Sequence, residues 1–167
     1  MTDTQDPIRP TDDEARTLAR ELIQAARYAA LAVFDPETAF PMATRIGCVP
    51  GPDGLPLALV SDLSHHTRAL KGDPRCSLLV GQPGAKGDPL THPRLTLQAR
   101  ASFIRHGDPD HASLADHYLA HYPKARLYIG FSDFSLLRFT PVEAHLNGGF
   151  GKAFRLTPAD LAPSICS

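Results

Sequence analysis

The sequence predicts a mainly β domain of the α+β class, a small antiparallel β-barrel with helices packed outside it. Roughly five to seven short apolar runs are separated by clusters of Pro, Gly and Asp, and helical periodicity interrupts them in only a few places. Strand and helix patterns do not alternate in the regular βα order that a doubly wound parallel sheet requires. The 167 residues suit one domain, long enough to bury about two-thirds of its unfolded surface without disulfide staples. A flexible arm over residues 1–10 and a single domain over 11–167 are expected.

The first helix is written in Ala15, Leu18, Ala19, Leu22, Ile23 and Ala26, which recur at helical spacing, with Thr11 and Glu14 placed as a capping box. Strands are expected from Ala30 until Asp35-Pro36, from Pro41 to Val49 before the turn cluster at 50–54, and from Leu57 to Ser61. Ser64 to Asp73 reads as a short helix stopped by Pro74, and Cys76 to Gly81 as a further strand. Residues 82–93 hold three prolines and two glycines without periodicity, the mark of a long loop. Leu95, Leu97, Ala99, Ala101 and Phe103 then alternate with polar residues, so that Arg94, Thr96 and Gln98 share one strand face. A helix carrying Leu114, Tyr118 and Tyr122 ends at Pro123; strands Ser135–Thr140 and Val142–Asn147 are expected on either side of a break at Pro141, and GGFG at 148–151 precedes a short tail.

A formal net charge of -1 gives no electrostatic reason to expect nucleic acid or an anionic membrane as partner. The polar start of the chain and the lack of an 18-residue apolar run favour a soluble, cytoplasmic protein. Cys48, Cys76 and Cys166 form no metal-ligand or CxxC pattern and are expected as reduced thiols. His117 and His121, four apart on a helix, can chelate a metal in principle, but no HExxH pattern accompanies them, and a solvated helix edge is the preferred reading. Gly148, Gly149 and Gly151 lack the strand-turn-helix context of a dinucleotide loop. No catalytic triad or carboxylate pair can be singled out.

The chemistry-bearing stretch is residues 60–80. Ser61 ends a strand, and Ser64, His65, His66, Thr67 and Arg68 gather at a helix start, where free amides and the positive end of the dipole favour an anion. A phosphate monoester, at about -1.5 to -2 charge, also needs cations, for which Arg45 and Arg94 are the candidates. The alternative at this point is an ordinary capped helix with solvated polar residues.

The order Pro41-x-x-Thr44-Arg45, then SDLSHHTRALKGDPRCSLL at 61–79, PRLTLQARA at 93–101, DFSLLRF at 133–139 and GGFGKA at 148–153 resembles the FMN-binding split barrels related to pyridoxamine 5'-phosphate oxidase, and most nearly their haem-utilisation branch. The likeness runs from about Ala15 to Leu161. It implies a six-stranded antiparallel split β-barrel, homodimeric, with one FMN in each of two clefts between subunits. It places the phosphate on Ser61, Ser64 and His66, with Thr67 and Arg68 in the same block. Thr44 and Arg45 would flank the flavin, and Arg94, Thr96 and Gln98 would look into the dimer cleft. The oxidase proper carries Arg and Lys where this chain has His65 and His66, which implies weaker, pH-sensitive FMN binding. In the haem branch a C-terminal histidine ligates iron and an acidic residue tunes the haem; Asp133 matches the acid, but no histidine follows His145. The resemblance thus implies an FMN-dependent oxidoreductase acting on a small redox substrate, with a haem-binding protein or a non-catalytic flavin-binding module as alternatives. Pyridoxamine-phosphate oxidation itself is not expected, because the oxidase's C-terminal arginine pattern has no match.

Overall fold

The computed structural model describes residues 8–163. In chain order they form β1 (Ile8–Arg9), α1 (Asp13–Gln24), β2 (Tyr28–Phe34), β3 (Pro41–Pro50), β4 (Pro56–Ser61), α2 (His65–Gly72), β5 (Arg75–Val80), β6 (Arg94–Ile104), α3 (His111–His121), β7 (Phe134–Asn147), β8 (Ala153–Leu156) and α4 (Pro158–Leu161). Short 3-10 turns occupy Pro89–Thr91, inside the long loop, and Pro123–Leu127. Strands pair in the order β7-β4-β3-β2-β5-β6, and β6 pairs back onto β7, so six antiparallel strands close a barrel. Two further strands extend it: β8 lies antiparallel on β7, and β1 adds in parallel to β8.

Alternation along the strands turns Leu31, Leu78, Leu95, Leu97 and Leu137 into the main core, each 0–1% exposed. Burial of one such side chain contributes roughly 1.5–3 kcal/mol. The amphipathic α1 packs Ala15, Ala19 and Ile23 onto that core. A second core forms outside the barrel, where α3 lays Leu114 and Tyr118 over Val49, Leu57, Leu59 and Leu136. Because β4 faces a core on each side, its sequence PLALV is an unbroken apolar run, whereas β6, wetted on one face, alternates.

Three expectations change. The N-cap of α1 is Asp12, whose carboxylate accepts from the Ala15 amide at 2.8 Å. Thr11 does not form the capping box, because its hydroxyl donates to the Arg155 carbonyl of β8 at 2.7 Å. A capping box does form at Thr157 and Asp160, and Asp160 also takes the Arg16 Nε at 2.7 Å, fastening α4 to α1. Second, Pro141 does not break its strand. The β6–β7 register shifts there, with Gln98 opposite Glu143 and Ala99 opposite Pro141, so Val142 is the extra residue of a β-bulge that accommodates the missing N–H. Third, the segment after GGFG is no tail: Gly149 (φ 114°) and Gly151 (φ 68°) turn the chain back into β8 and α4. Of the expected N-terminal arm, Ile8–Arg9 pairs with β8; residues 1–7 and Cys166 lie outside the described residues.

Candidate functional site

The start of α2 is built by three strands. β4 delivers Ser61, whose hydroxyl donates to the Asp133 carboxylate at 2.6 Å and accepts from the Leu63 amide at 3.1 Å. Ser64 is the N-cap, with φ -76° and ψ 139°; its carbonyl accepts from the Thr67 and Arg68 amides, while its hydroxyl makes no capping bond. In a helix the earlier first-turn amides, here those of His65 and His66, have no acceptor within the helix itself. From β3, the Thr44 hydroxyl meets His66 Nδ1 at 3.2 Å. From the end of β2, Asp35 meets His65 Nε2 at 3.1 Å, and Arg68 reaches His65 Nδ1 at 3.3 Å. An arginine only donates, so the arrangement that satisfies both contacts has Nε2–H donating to Asp35 and Nδ1 accepting from Arg68.

The electrostatics follow from these contacts. The Glu37 amide, then His65, with a further bond from Thr38, hold the Asp35 carboxyl down at about 2. Burial, and then the charge of neighbouring His65, lower the pKa of His66, which favours a neutral ring there. Thr67 is fully buried and its hydroxyl has no hydrogen-bond partner, so its side chain lies beneath the helix and only its backbone is near the helix start. Ser61→Ala is expected to cost about 1.5–3 kcal/mol in a urea titration of the ligand-free protein, the scale of one hydrogen bond to a charged group.

Thr44 and Arg45 point to opposite faces. Thr44 stands opposite Leu31 on the inward-facing row, and Arg45 stands opposite Ala30 on the outer one. There the Arg45 guanidinium lies 5.2 Å from the centroid of the Tyr28 ring. Arg94, Thr96 and Gln98 do share the outer face of β6, as expected. The Arg94 guanidinium, however, donates to the Leu90 and His92 carbonyls at 2.9 and 3.4 Å, holding the 82–93 loop. Thr96 stands between Leu79 and His145, and Gln98 between Ser77 and Glu143. In the ring order β3-β2-β5-β6, Arg45 and the β6 residues are separated by three strand spacings, about 14 Å. One chain therefore presents two separate groups: a helix-start group with Thr44, and an outer-face row on β6. Between them the outer face carries Ala30, Ala32, Phe34 and Leu79, the last two 47% and 43% exposed, and a shallow pocket of about 370 Å³ beside Arg75, Ser77, Gln98 and Arg100.

A family model described as pyridoxamine 5'-phosphate oxidase matches residues 16–148. The chain belongs to this family. It is 33% identical over 117 residues to the non-canonical heme oxygenase HOZ, chloroplastic, of Arabidopsis thaliana, covering 69% of this chain and 34% of that protein. The chain thus spans about a third of the length of that curated relative. Among solved structures it resembles a protein of unknown function from Agrobacterium tumefaciens, with 37% identity, a TM-score of 0.78 and 95% of this chain and 66% of that one covered. It also resembles a heme binding protein from Mycobacterium smegmatis, with 30% identity, a TM-score of 0.79 and coverage of 92% and 61%. The pyridoxamine 5'-phosphate oxidase fold therefore extends here to a chain whose named relatives include haem proteins.

The residues singled out for haem or metal have other roles in the free chain. Asp133 accepts from Ser61 and, through its carbonyl, from the Asp62 amide. His145 pairs with Glu143 at 2.9 Å. His117 Nε2 is directed at the Pro50 carbonyl at 2.8 Å and His121 Nδ1 at the His117 carbonyl at 3.0 Å, so the two rings are held by the backbone rather than turned toward a common ion. Cys48 and Cys76 are buried, and burial pushes both thiols up to about 12. Asp35 was missed from sequence, where Asp35-Pro36 served only as a strand stop; its distance from His65 along the chain gave no signal. No helix among the described residues is long and apolar enough to cross a membrane.

Proposed function

We propose that the protein is an FMN-binding flavoprotein that works as a homodimer, with the flavin phosphate at the start of α2. The observation that carries this reading is the helix-start group. Ser64 keeps its hydroxyl free of a capping bond, His66 stands on Thr44, and the first-turn amides lie beside them. These donors fit a phosphate monoester, with neutral histidine donating where a permanent cation is not available. Arg45, on the opposite face of β3 from Thr44 and without a carboxylate partner among the described residues, is left to border the flavin from the outer face rather than to hold its phosphate. The three strand spacings between Arg45 and Thr96–Gln98, about 14 Å, would be bridged by a second copy: the exposed apolar outer face of β2 and β5 gives it a surface to cover, and its own β6 row would then complete the cleft. Bound flavin would supply electron or hydride transfer, while this chain's residues bind and orient it.

The test is a titration of the purified protein with FMN, read at the flavin bands, together with native mass. A dimer that binds FMN with micromolar or tighter affinity is the expected result; a monomer, or no binding at micromolar FMN, overturns it. A haem-binding role on the same face is the second reading, favoured by the heme oxygenase and heme binding protein at 33% and 30% identity. A sharp ligated Soret band on adding haemin, in protein that ignores FMN, would select it.

A further inference from the structure

A phosphate dianion calls for a permanent cation, and neither histidine at the start of α2 supplies one. His66 is favoured as a neutral ring. His65 has no ring nitrogen left to offer, since Nε2–H goes to Asp35 at 3.1 Å and Nδ1 accepts from Arg68 at 3.3 Å. The Asp35 end of this series is firmly held. Asp35 organises the turn between β2 and β3: its amide donates to the Phe40 carbonyl at 2.9 Å, its carbonyl accepts from the Ala39 amide at 2.8 Å, and its carboxylate accepts from the Glu37 amide and the Thr38 hydroxyl, both at 2.9 Å. Ala39 is the one non-glycine residue with a positive φ, 61°, among the described residues, and such a conformation persists only where its surroundings over-determine it. An ionised carboxylate accepts and never donates, so it admits the His65 tautomer with its hydrogen on Nε2 and leaves Nδ1 as an acceptor.

The free end of the series is Arg68. It follows His65 by three positions on the helix, and helical side chains lean toward the helix start, so its contact with the ring sets the guanidinium at the level of the first turn. Beyond that contact Arg68 forms no hydrogen bond or ion pair among the described residues, whereas Lys71, also on α2, is paired with Asp62 at 2.8 Å. We propose that Asp35 and His65 are positioning residues, and that the guanidinium they hold, Arg68, is the permanent cation on the phosphate of a bound phosphomonoester. The inference rests on the flavoprotein reading and deepens it: His65 acts through Arg68 rather than as a ligand. Holding the guanidinium in place before the ligand arrives reduces the side-chain freedom lost on binding.

The test follows the Arg68 Nε–H group by 15N NMR in the ligand-free protein, where it is identified by its loss in Arg68→Gln. His65→Gln keeps a donor toward Asp35 but has no acceptor for Arg68, and Asp35→Asn lets the amide turn a donor to the ring and so releases the tautomer. Arg68 Nε–H is expected to be rigid in the wild type and mobile in His65→Gln. At about pH 8, above the ordinary range of histidine, Arg68→Gln is expected to weaken FMN binding about tenfold, His65→Gln about fivefold and Asp35→Asn about threefold, on the scale of one charge-assisted contact. Riboflavin, which lacks the phosphate, is expected to change by less than about twofold in all three. The variant carrying both His65→Gln and Arg68→Gln is expected to bind FMN no more weakly than Arg68→Gln alone, because His65 acts only through the arginine. A mobile Arg68 in the wild type, an equal loss for riboflavin, additive losses in the double variant, or a His65→Gln or Asp35→Asn protein that binds FMN as the wild type does, overturns the proposal. Inorganic phosphate, titrated with Arg68 Nε–H as the reporter, separates it from the flavin reading. A saturable shift in protein that ignores FMN keeps Arg68 as a positioned phosphate residue even as the flavoprotein reading falls; no response to phosphate or to FMN overturns both.

Discussion

Gly81→Ala is expected to destabilise the protein by about 3 kcal/mol or more, read as a lowered midpoint in urea or heat. Gly81 follows β5 with φ +105°, a conformation close to glycine's exclusive territory, and an added Cβ would stand 2.6 Å from the Pro93 carbonyl oxygen and 2.8 Å from the Arg94 Cα. Backbone strain of this kind costs of order 1–3 kcal/mol. The clash adds to it, because both obstructing atoms are backbone, and neither can swing aside without shifting the start of β6. Gly72→Ala is the control. Nothing lies within 4 Å of a Cβ there and the backbone is ordinary, so the change is expected to be neutral or to stabilise by about 0.4–1 kcal/mol. Equal effects of the two substitutions would show that the chain tolerates a different entry into β6.

Acidification is expected to tighten phosphate binding while it weakens the ligand-free fold, and His66 links the two. In the free protein the pKa of this ring is lowered, first by burial and then by His65. The fold therefore favours the neutral form, and the stability this contributes is complete above the unfolded histidine value of about 6.5 and is lost as pH falls through it toward the lowered folded value. A bound phosphate reverses the preference, since a dianion raises the pKa of a histidine that donates to it. Binding then takes up a proton, and affinity rises as pH falls from about 8 toward about 6, where the phosphate begins to acquire its own second proton. Exchanging a neutral for a charge-assisted bond is worth about tenfold in Kd for FMN. His66→Gln is expected to flatten that dependence and leave the affinity near its value at pH 8. A slope that survives the substitution would assign the proton elsewhere.

Much of the barrel was legible because its local rules agree with its long-range ones. The alternation from Leu95 to Phe103 states which face of β6 is wet, and the structure puts Arg94, Thr96 and Gln98 there. Pro141 misled because the remedy for its missing N–H sits partly on another strand, in the shifted register beside Gln98 and Ala99, more than 40 residues earlier in the chain. Thr11 misled for a similar reason: the Arg155 carbonyl that captures it is 144 residues away. In the candidate site, the cluster from Ser64 to Arg68 was visible as a helix start because capping is local. Asp35 was not, since only the folding of the end of β2 against the start of α2 brings it to His65.

One strand completes the barrel on both sides. β7 pairs with β4 through Phe134–Arg138 and with β6 through Leu136–Asn147, so a chain emerging from synthesis without it exposes two bare strand edges at once. Edges of that kind recruit neighbouring molecules, and pairings that wait for distant sequence form slowly. Fragments ending before Phe134 should therefore precipitate rather than persist as partial barrels, and translation past Asn147 becomes the step that commits the nascent polypeptide to a discrete particle.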